Sequence, residues 1–207
     1  MTFYYCSLIT SNFLIFTAFT FGISNKKLLT QKGIKWHVSY LGFMLFTELI
    51  IKIFIYGFNN YNTSFTYPFY ISGEFFILTQ ILFPPLRSSK KWQLGSGIIS
   101  IVVFLEASFL WFNNDFFTPG FGKIFSHLTI ICMAAYLLIK NLKEIKVNTP
   151  FLIVYAALFI YYAVSLFLFL LLDQLTKNNI VIWTMNNILS SILYSSYIYT
   201  FYQLKKW

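Results

Sequence analysis

The chain has 207 residues, 58% of them hydrophobic and only 10% charged, and its fifteen Lys and Arg against six Asp and Glu give a net charge of +9. Soluble domains carry about 25% charged residues, so this composition excludes one. Nucleic-acid binding is excluded too: the basic residues sit in short segments between long apolar runs, where insertion topology and anionic lipid account for them.

Seven apolar runs follow in chain order, at about 3–21, 36–56, 67–84, 94–112, 123–139, 151–172 and 180–204. Each has roughly the 17–25 residues that a helix needs to cross a hydrocarbon core. Pro68 falls in the first turn of the third run, where its missing N–H is harmless, and Pro84–Pro85 ends it. Thr149–Pro150 reads as an N-cap followed by proline, opening the sixth. Trp36, Trp92, Trp111, Trp183 and Trp207 all fall at run ends, as an aromatic belt requires.

The segments between the runs alternate in charge. Residues 24–35 carry Lys26, Lys27, Lys32 and Lys35, and residues 57–66 carry none. Residues 85–93 carry Arg87, Lys90 and Lys91, and residues 113–122 only Asp115. Residues 140–149 carry Lys140, Lys143 and Lys146 against Glu144, and residues 173–179 carry Asp173 and Lys177. The chain closes on Lys205 and Lys206. Basic segments stay cytoplasmic, so the expected fold class is an all-α integral membrane bundle of seven transmembrane helices in one domain, N-terminus outside and C-terminus inside. The Lys-, Asn-, Ile- and Phe-rich composition points to a bacterial inner membrane. No Lys or Arg precedes the first run and no small-residue cleavage motif ends it, so it reads as a helix and not a cleaved signal. Cys6 and Cys132 are expected at different depths, as small apolar residues without a bridge between them.

Polar groups within apolar helices are expensive and call for a reason. Helix-rise arithmetic places Glu48, Glu74, Glu106, His127, Asn186 and Asn187 in one layer, roughly 8–12 Å below the outer surface. Lys52 follows Glu48 by one turn, as an internal ion pair or as the counter-charge for an acidic ligand. Tyr67 and Tyr70 share a helical face with Glu74, forming a stripe that can line a cavity or a carboxyl held by a neighbouring helix. Glu106 serves the same site or reaches outer water, and His127 is a packing histidine or a ligand contact. Asn186, Asn187, Ser190, Ser191 and Tyr194 pack helices together or meet a ligand. The candidate ligand-binding residues are therefore Glu48, Lys52, Tyr70, Glu74, Glu106, His127, Asn186, Asn187 and Tyr194.

The sequence calls for no cofactor. The last run has no Lys before Lys205 for a retinal Schiff base in the usual position, and His37 and His127 cannot make a three-histidine zinc site. No Gly-rich phosphate loop, HExxH or GxSxG occurs. Glu48, Glu74, Glu106 and His127 leave a carboxylate-rich metal site conceivable, although no spacing demands it.

Tyr67 with Glu74–Phe75, Asn113–Asn114, Pro150–Phe151, and Trp183 with Asn187–Ile188–Leu189 occur in that order along the chain. In this order the chain resembles a family of short seven-helix bacterial integral membrane proteins of unassigned activity, often encoded beside sensor histidine kinases. The resemblance implies a signalling-associated sensor with a membrane partner such as a histidine kinase. The first functional expectation is a receptor-like protein whose outward-facing polar pocket takes a small molecule, lipid headgroup or proton. The alternative is a membrane-embedded enzyme acting on a lipid or isoprenoid through intramembrane carboxylates. A channel needs a polar path continuing inward, and the inner halves of the second, third, fourth and sixth runs read as apolar.

Overall fold

The computed structural model describes residues 2–25, 29–30, 33–59, 62–86, 90–113, 120–143, 150–171 and 180–206. Among these the chain is all-helical, with no strand. The seven helices are α1 (Thr2–Ser24), α2 (Ile34–Lys52), α3 (Tyr67–Leu82), α4 (Lys90–Phe112), α5 (Phe121–Lys143), α6 (Leu152–Leu171) and α7 (Ile180–Lys206). Lys26, Lys27, Lys32, Arg87, Asn114, Asp115, Glu144, Lys146, Thr149, Asp173, Lys177 and Trp207, used above, lie outside the described residues.

Local chemistry sets the helix ends. Gly33, at φ 99°, turns the chain into α2 through a conformation that side chains resist. α2 leaves through a π-helical turn, Ile53–Gly57. Asn62 then accepts hydrogen bonds from the backbone N–H and hydroxyl of Ser64, and a 3₁₀ turn (Ser64–Thr66) leads into α3 with Pro68 in its first turn. Pro84–Leu86 closes α3 as another 3₁₀ turn. α4 begins four residues earlier than expected and α5 runs four residues longer, because Lys90, Lys91, Lys140 and Lys143 continue the helical backbone past the apolar stretch.

Six elements are long and apolar enough to cross a membrane: α1, α2 with its π turn, α3 with its flanking 3₁₀ turns, α4, α5 and α6. The chain is thus a multi-pass membrane protein. α7 is the longest helix, but Thr184, Asn186, Asn187, Ser190 and Ser191 dilute its apolar character. Many of its hydroxyls turn back onto the helix: Thr184 donates to the Ile180 carbonyl at 2.6 Å, Ser191 to Asn187 at 2.8 Å, and Ser196 to Leu193 at 2.6 Å. Without nearby water such internal bonds satisfy the hydroxyl groups.

Helix contacts close a ring. α1 packs on α2, α2 on α3, α3 on α5, α5 on α6, α6 on α7, and α7 back on α1. α4 stands outside, against α3 and α5. Ser7, Ser11, Ile15, Ala18 and Gly22 form the buried face of α1. A Cβ on Gly22 would lie 3.0 Å from Val38 and 3.1 Å from Phe201, so that glycine sets how closely α1 approaches α2 and α7. In lipid, where apolar burial supplies little drive, such close packing is a main source of association. Large apolar side chains such as Phe13, Phe46, Ile101 and Phe109 stand exposed on the outside of the bundle. Cys6 and Cys132 are also exposed and free, which corrects their expected place as packing residues.

Inside the ring the core is rich in tyrosine. Tyr40, Tyr155, Tyr161, Tyr162, Tyr194 and Tyr197 are all buried. The interior of the bundle is therefore less apolar than the sequence suggests: hydroxyls hide among the aromatic rings.

Candidate functional site

A cavity of about 370 Å³ lies within the ring. Its lining comes from the first half and middle of α1 (Leu8, Ser11, Asn12, Ile15) and the second half of α2 (Met44, Thr47, Glu48, Ile51). The α2–α3 connection and the start of α3 add Thr63, Ser64, Thr66, Tyr67 and Tyr70. α5 contributes Lys123 and His127, α6 contributes Tyr161, Ser165, Leu168 and Phe169, and α7 contributes residues from Ile182 to Tyr194. All six ring helices take part and α4 does not. The volume suits a small molecule.

Of the candidate residues, Glu48, Tyr70, His127, Asn186, Asn187 and Tyr194 line this cavity together. Asn187 also donates to the Ser7 hydroxyl at 3.3 Å, tying α7 to α1. Lys52 stays within electrostatic reach of Glu48 but outside the cavity wall.

Glu74 is not in the wall. It is 2% exposed and sits behind Tyr70, whose hydroxyl donates to its Oε1 at 3.1 Å. Tyr162 from α6 donates to the same oxygen at 2.7 Å. The Tyr162 and Tyr40 hydroxyls lie 3.4 Å apart, so the carboxyl anchors a chain of hydroxyls across α3, α6 and α2. Tyr161 reaches both Tyr70 and Ser190, and Ser190 also meets Tyr194, which extends the network along the cavity floor. Further along the axis, the Tyr40 ring packs on Tyr197 with centroids 6.0 Å apart. The Tyr197 hydroxyl lies 3.3 Å from Nδ1 of His37, and His37 stacks on Phe151 at 4.1 Å.

Glu106 belongs elsewhere. Its Oε2 accepts the Gly122 backbone N–H at 2.6 Å, satisfying one free donor at the start of α5. It lines a small recess with Val103, Ala107, Leu110 and Gly120, and Tyr67 and Lys123 line both this recess and the cavity.

Two functional groups escaped the sequence reading. Lys123 lines the cavity with its ammonium 3.4 Å from the centre of the Phe169 ring and 5.5 Å from that of Tyr67. Tyr162, the second donor to Glu74, lies in the most apolar helix of the chain. A lysine at a helix start reads as a headgroup anchor, and a tyrosine in an apolar run reads as core. Only tertiary contacts distinguish them from that.

His127, 3% exposed, donates from Nδ1 to the Lys123 carbonyl at 3.1 Å. A carbonyl only accepts, so this bond sets the tautomer of a neutral ring and makes Nε2 an acceptor. Its ring meets Tyr162 edge-on at 5.1 Å.

Among the described residues no three His, Cys, Asp or Glu side chains come together as a metal cage. The conceivable Glu48, Glu74, Glu106 and His127 set is thus dispersed: Glu74 behind Tyr70, Glu106 on the α5 terminus, Glu48 in the cavity wall. No family model, no curated protein and no solved structure matches the chain.

Proposed function

We propose that this protein is a seven-helix membrane receptor that binds a small molecule in the ring cavity and passes the change to a membrane partner at its basic end. One observation carries the reading. A single cavity gathers polar groups from six helices and abuts, through Tyr70, a buried network directed towards the opposite end of the bundle. Occupancy that shifts Tyr70 or Tyr161 alters the support of Glu74, and with it the packing of α2, α3 and α6. A ligand drives such a change by as much as its affinity differs between the two arrangements.

In this proposal α7 also crosses the bilayer, with its polar face covered by α1 and α6. The cavity wall draws on the starts of α1, α3, α5 and α7 and the ends of α2 and α6, which supports helices that alternate in direction. The basic segments then face the cytoplasm of a bacterial inner membrane and the cavity faces outward. Segments between the helices are too short to hold an output domain, so the signal goes through a partner, and a sensor histidine kinase fits that role.

The dispersal of the three glutamates disfavours the alternative, a lipid- or isoprenoid-processing enzyme with an acid/base pair of carboxylates. Native mass spectrometry of gently purified protein tests the receptor reading. The expected result is a stoichiometric organic adduct that is lost when Asn186→Phe fills the cavity. Spin labels at Leu142 and Tyr202, both exposed near the basic end, should change separation when the adduct is stripped. An adduct that leaves this separation unchanged overturns signalling, and turnover of the adduct would establish an enzyme instead.

A further inference from the structure

We infer that the cavity selects an organic anion, a carboxylate or phosphate head on an apolar body, with the head held by Lys123. The inference rests on the reading of the cavity as a ligand site and names the class of ligand.

The argument begins with the lysine. Among the described residues its ammonium has no hydrogen-bond acceptor and no ion pair; it packs on the faces of Phe169 and Tyr67 and feels the charge of Glu74 from a distance. Those rings hold the charge electrostatically but accept no conventional hydrogen bond, so three N–H donors remain unused. A cation removed from bulk water and left unpaired is expensive. The nearby acids act on it only at a distance: Glu74 electrostatically, and Glu106 from a recess that Lys123 also lines. Glu106 takes the Gly122 N–H, and Glu74 takes the hydroxyls of Tyr70 and Tyr162. Glu48 lies on α2 beside Lys52, and α3 stands between α2 and α5 in the ring. No acid among the described residues offers the ammonium an acceptor, so its unused donors are open to whatever fills the cavity.

The rest of the wall defines the body of the ligand. Trp183, Phe169, Leu168, Met44 and Ile51 supply an apolar surface, and Asn186 supplies an amide with no hydrogen-bond partner among the described residues. Glu48 places a negative group elsewhere in the wall, so a second anionic charge on the ligand would meet repulsion there. The preferred ligand has one anionic end and one apolar or hydrogen-bond-donating end. Free organic acids and the phosphate of an anionic lipid share this chemistry.

Equilibrium dialysis of labelled octanoate against phosphatidylcholine nanodiscs, with and without the full-length protein, provides the test. Octanol, octylamine and octyl phosphate serve as competitors with the same body. Saturable octanoate binding is expected, displaced by octyl phosphate and not by octanol or octylamine. Lys123→Met should weaken it at least about tenfold, and Lys123→Arg should largely retain it. Competition by octanol or octylamine equal to that of octyl phosphate overturns the anion selectivity and leaves a ligand cavity standing. Saturable binding of none of these heads overturns the cavity reading itself. The wild-type competition stands even where a Lys123 variant fails to fold. Phosphatidylglycerol discs that suppress octanoate binding assign the head to lipid, and discs without effect assign it to a free anion.

Discussion

The Tyr70 hydroxyl lies 3.1 Å from Glu74 Oε1, and that contact is where the open cavity meets the sealed interior. Tyr70 presents one side to the cavity and spends its hydroxyl on a carboxyl that the cavity does not reach. A disturbance at the wall therefore reaches Glu74 through Tyr70, through His127 packed on Tyr162, and through the charge of Lys123.

Removing either donor to Glu74 should destabilise the bundle. Tyr162→Phe is expected to cost about 1–3 kcal/mol and Tyr70→Phe somewhat less, since the Tyr162 bond is shorter and more deeply buried. Because both hydroxyls serve one oxygen, the double variant should depart from additivity by more than about 0.5 kcal/mol. Reversible unfolding in mixed micelles measures all three.

Gly122 and Glu106 form a second coupled pair. A Cβ at Gly122 would strike Glu106 Oε2 and come 3.2 Å from Val103. Gly122→Ala should lower stability by about 1–3 kcal/mol. Glu106→Ala alone should remove the N-terminal bond to α5 at a cost of about 0.5–2 kcal/mol. In the Glu106→Ala background, Gly122→Ala should be nearly tolerated, and a thermal-shift double-mutant cycle reads the coupling directly.

The α2–α3 contact depends on another glycine. A Cβ on Gly73 would lie 2.5 Å from the Phe43 ring. Gly73→Ala should destabilise the protein by about 1–3 kcal/mol, and Phe43→Leu should recover part of that loss by opening space. Equal loss in both backgrounds, measured as thermal midpoint in detergent, would show that the ring does not set this spacing.

Orientation has a direct readout. In a Cys6→Ser, Cys132→Ala background, a cysteine replacing Asn62 should react with an impermeant maleimide added to intact cells. One replacing Lys35 should react only after the membrane is opened. Both positions are exposed in the bundle. The reverse pattern would place the basic segments outside.

Much of the scaffold was legible before any tertiary contact, because crossing lipid requires long apolar helices and that demand is written locally. Proline marked both ends of α3. Equal depth from helix ends likewise grouped Glu48, His127, Asn186 and Asn187, which one cavity wall now contains.

Depth along a helix leaves rotation and neighbours undecided. Glu74 and Glu106 share the expected layer, yet one is sealed behind Tyr70 and the other caps α5, because the ring excludes α4 and turns Glu74 towards α6. Lys123 drew no notice in the sequence, and only the rings of Phe169 and Tyr67 show that it faces the cavity. The sequence by itself determined that this protein spans a membrane, and roughly which residues lie at which height, since hydropathy and helix rise act residue by residue. Only the tertiary structure decided which helices form the ring, and so which polar groups are paired and which wait for a partner. Pairing depends on contacts between residues far apart in the chain, and no local rule encodes it.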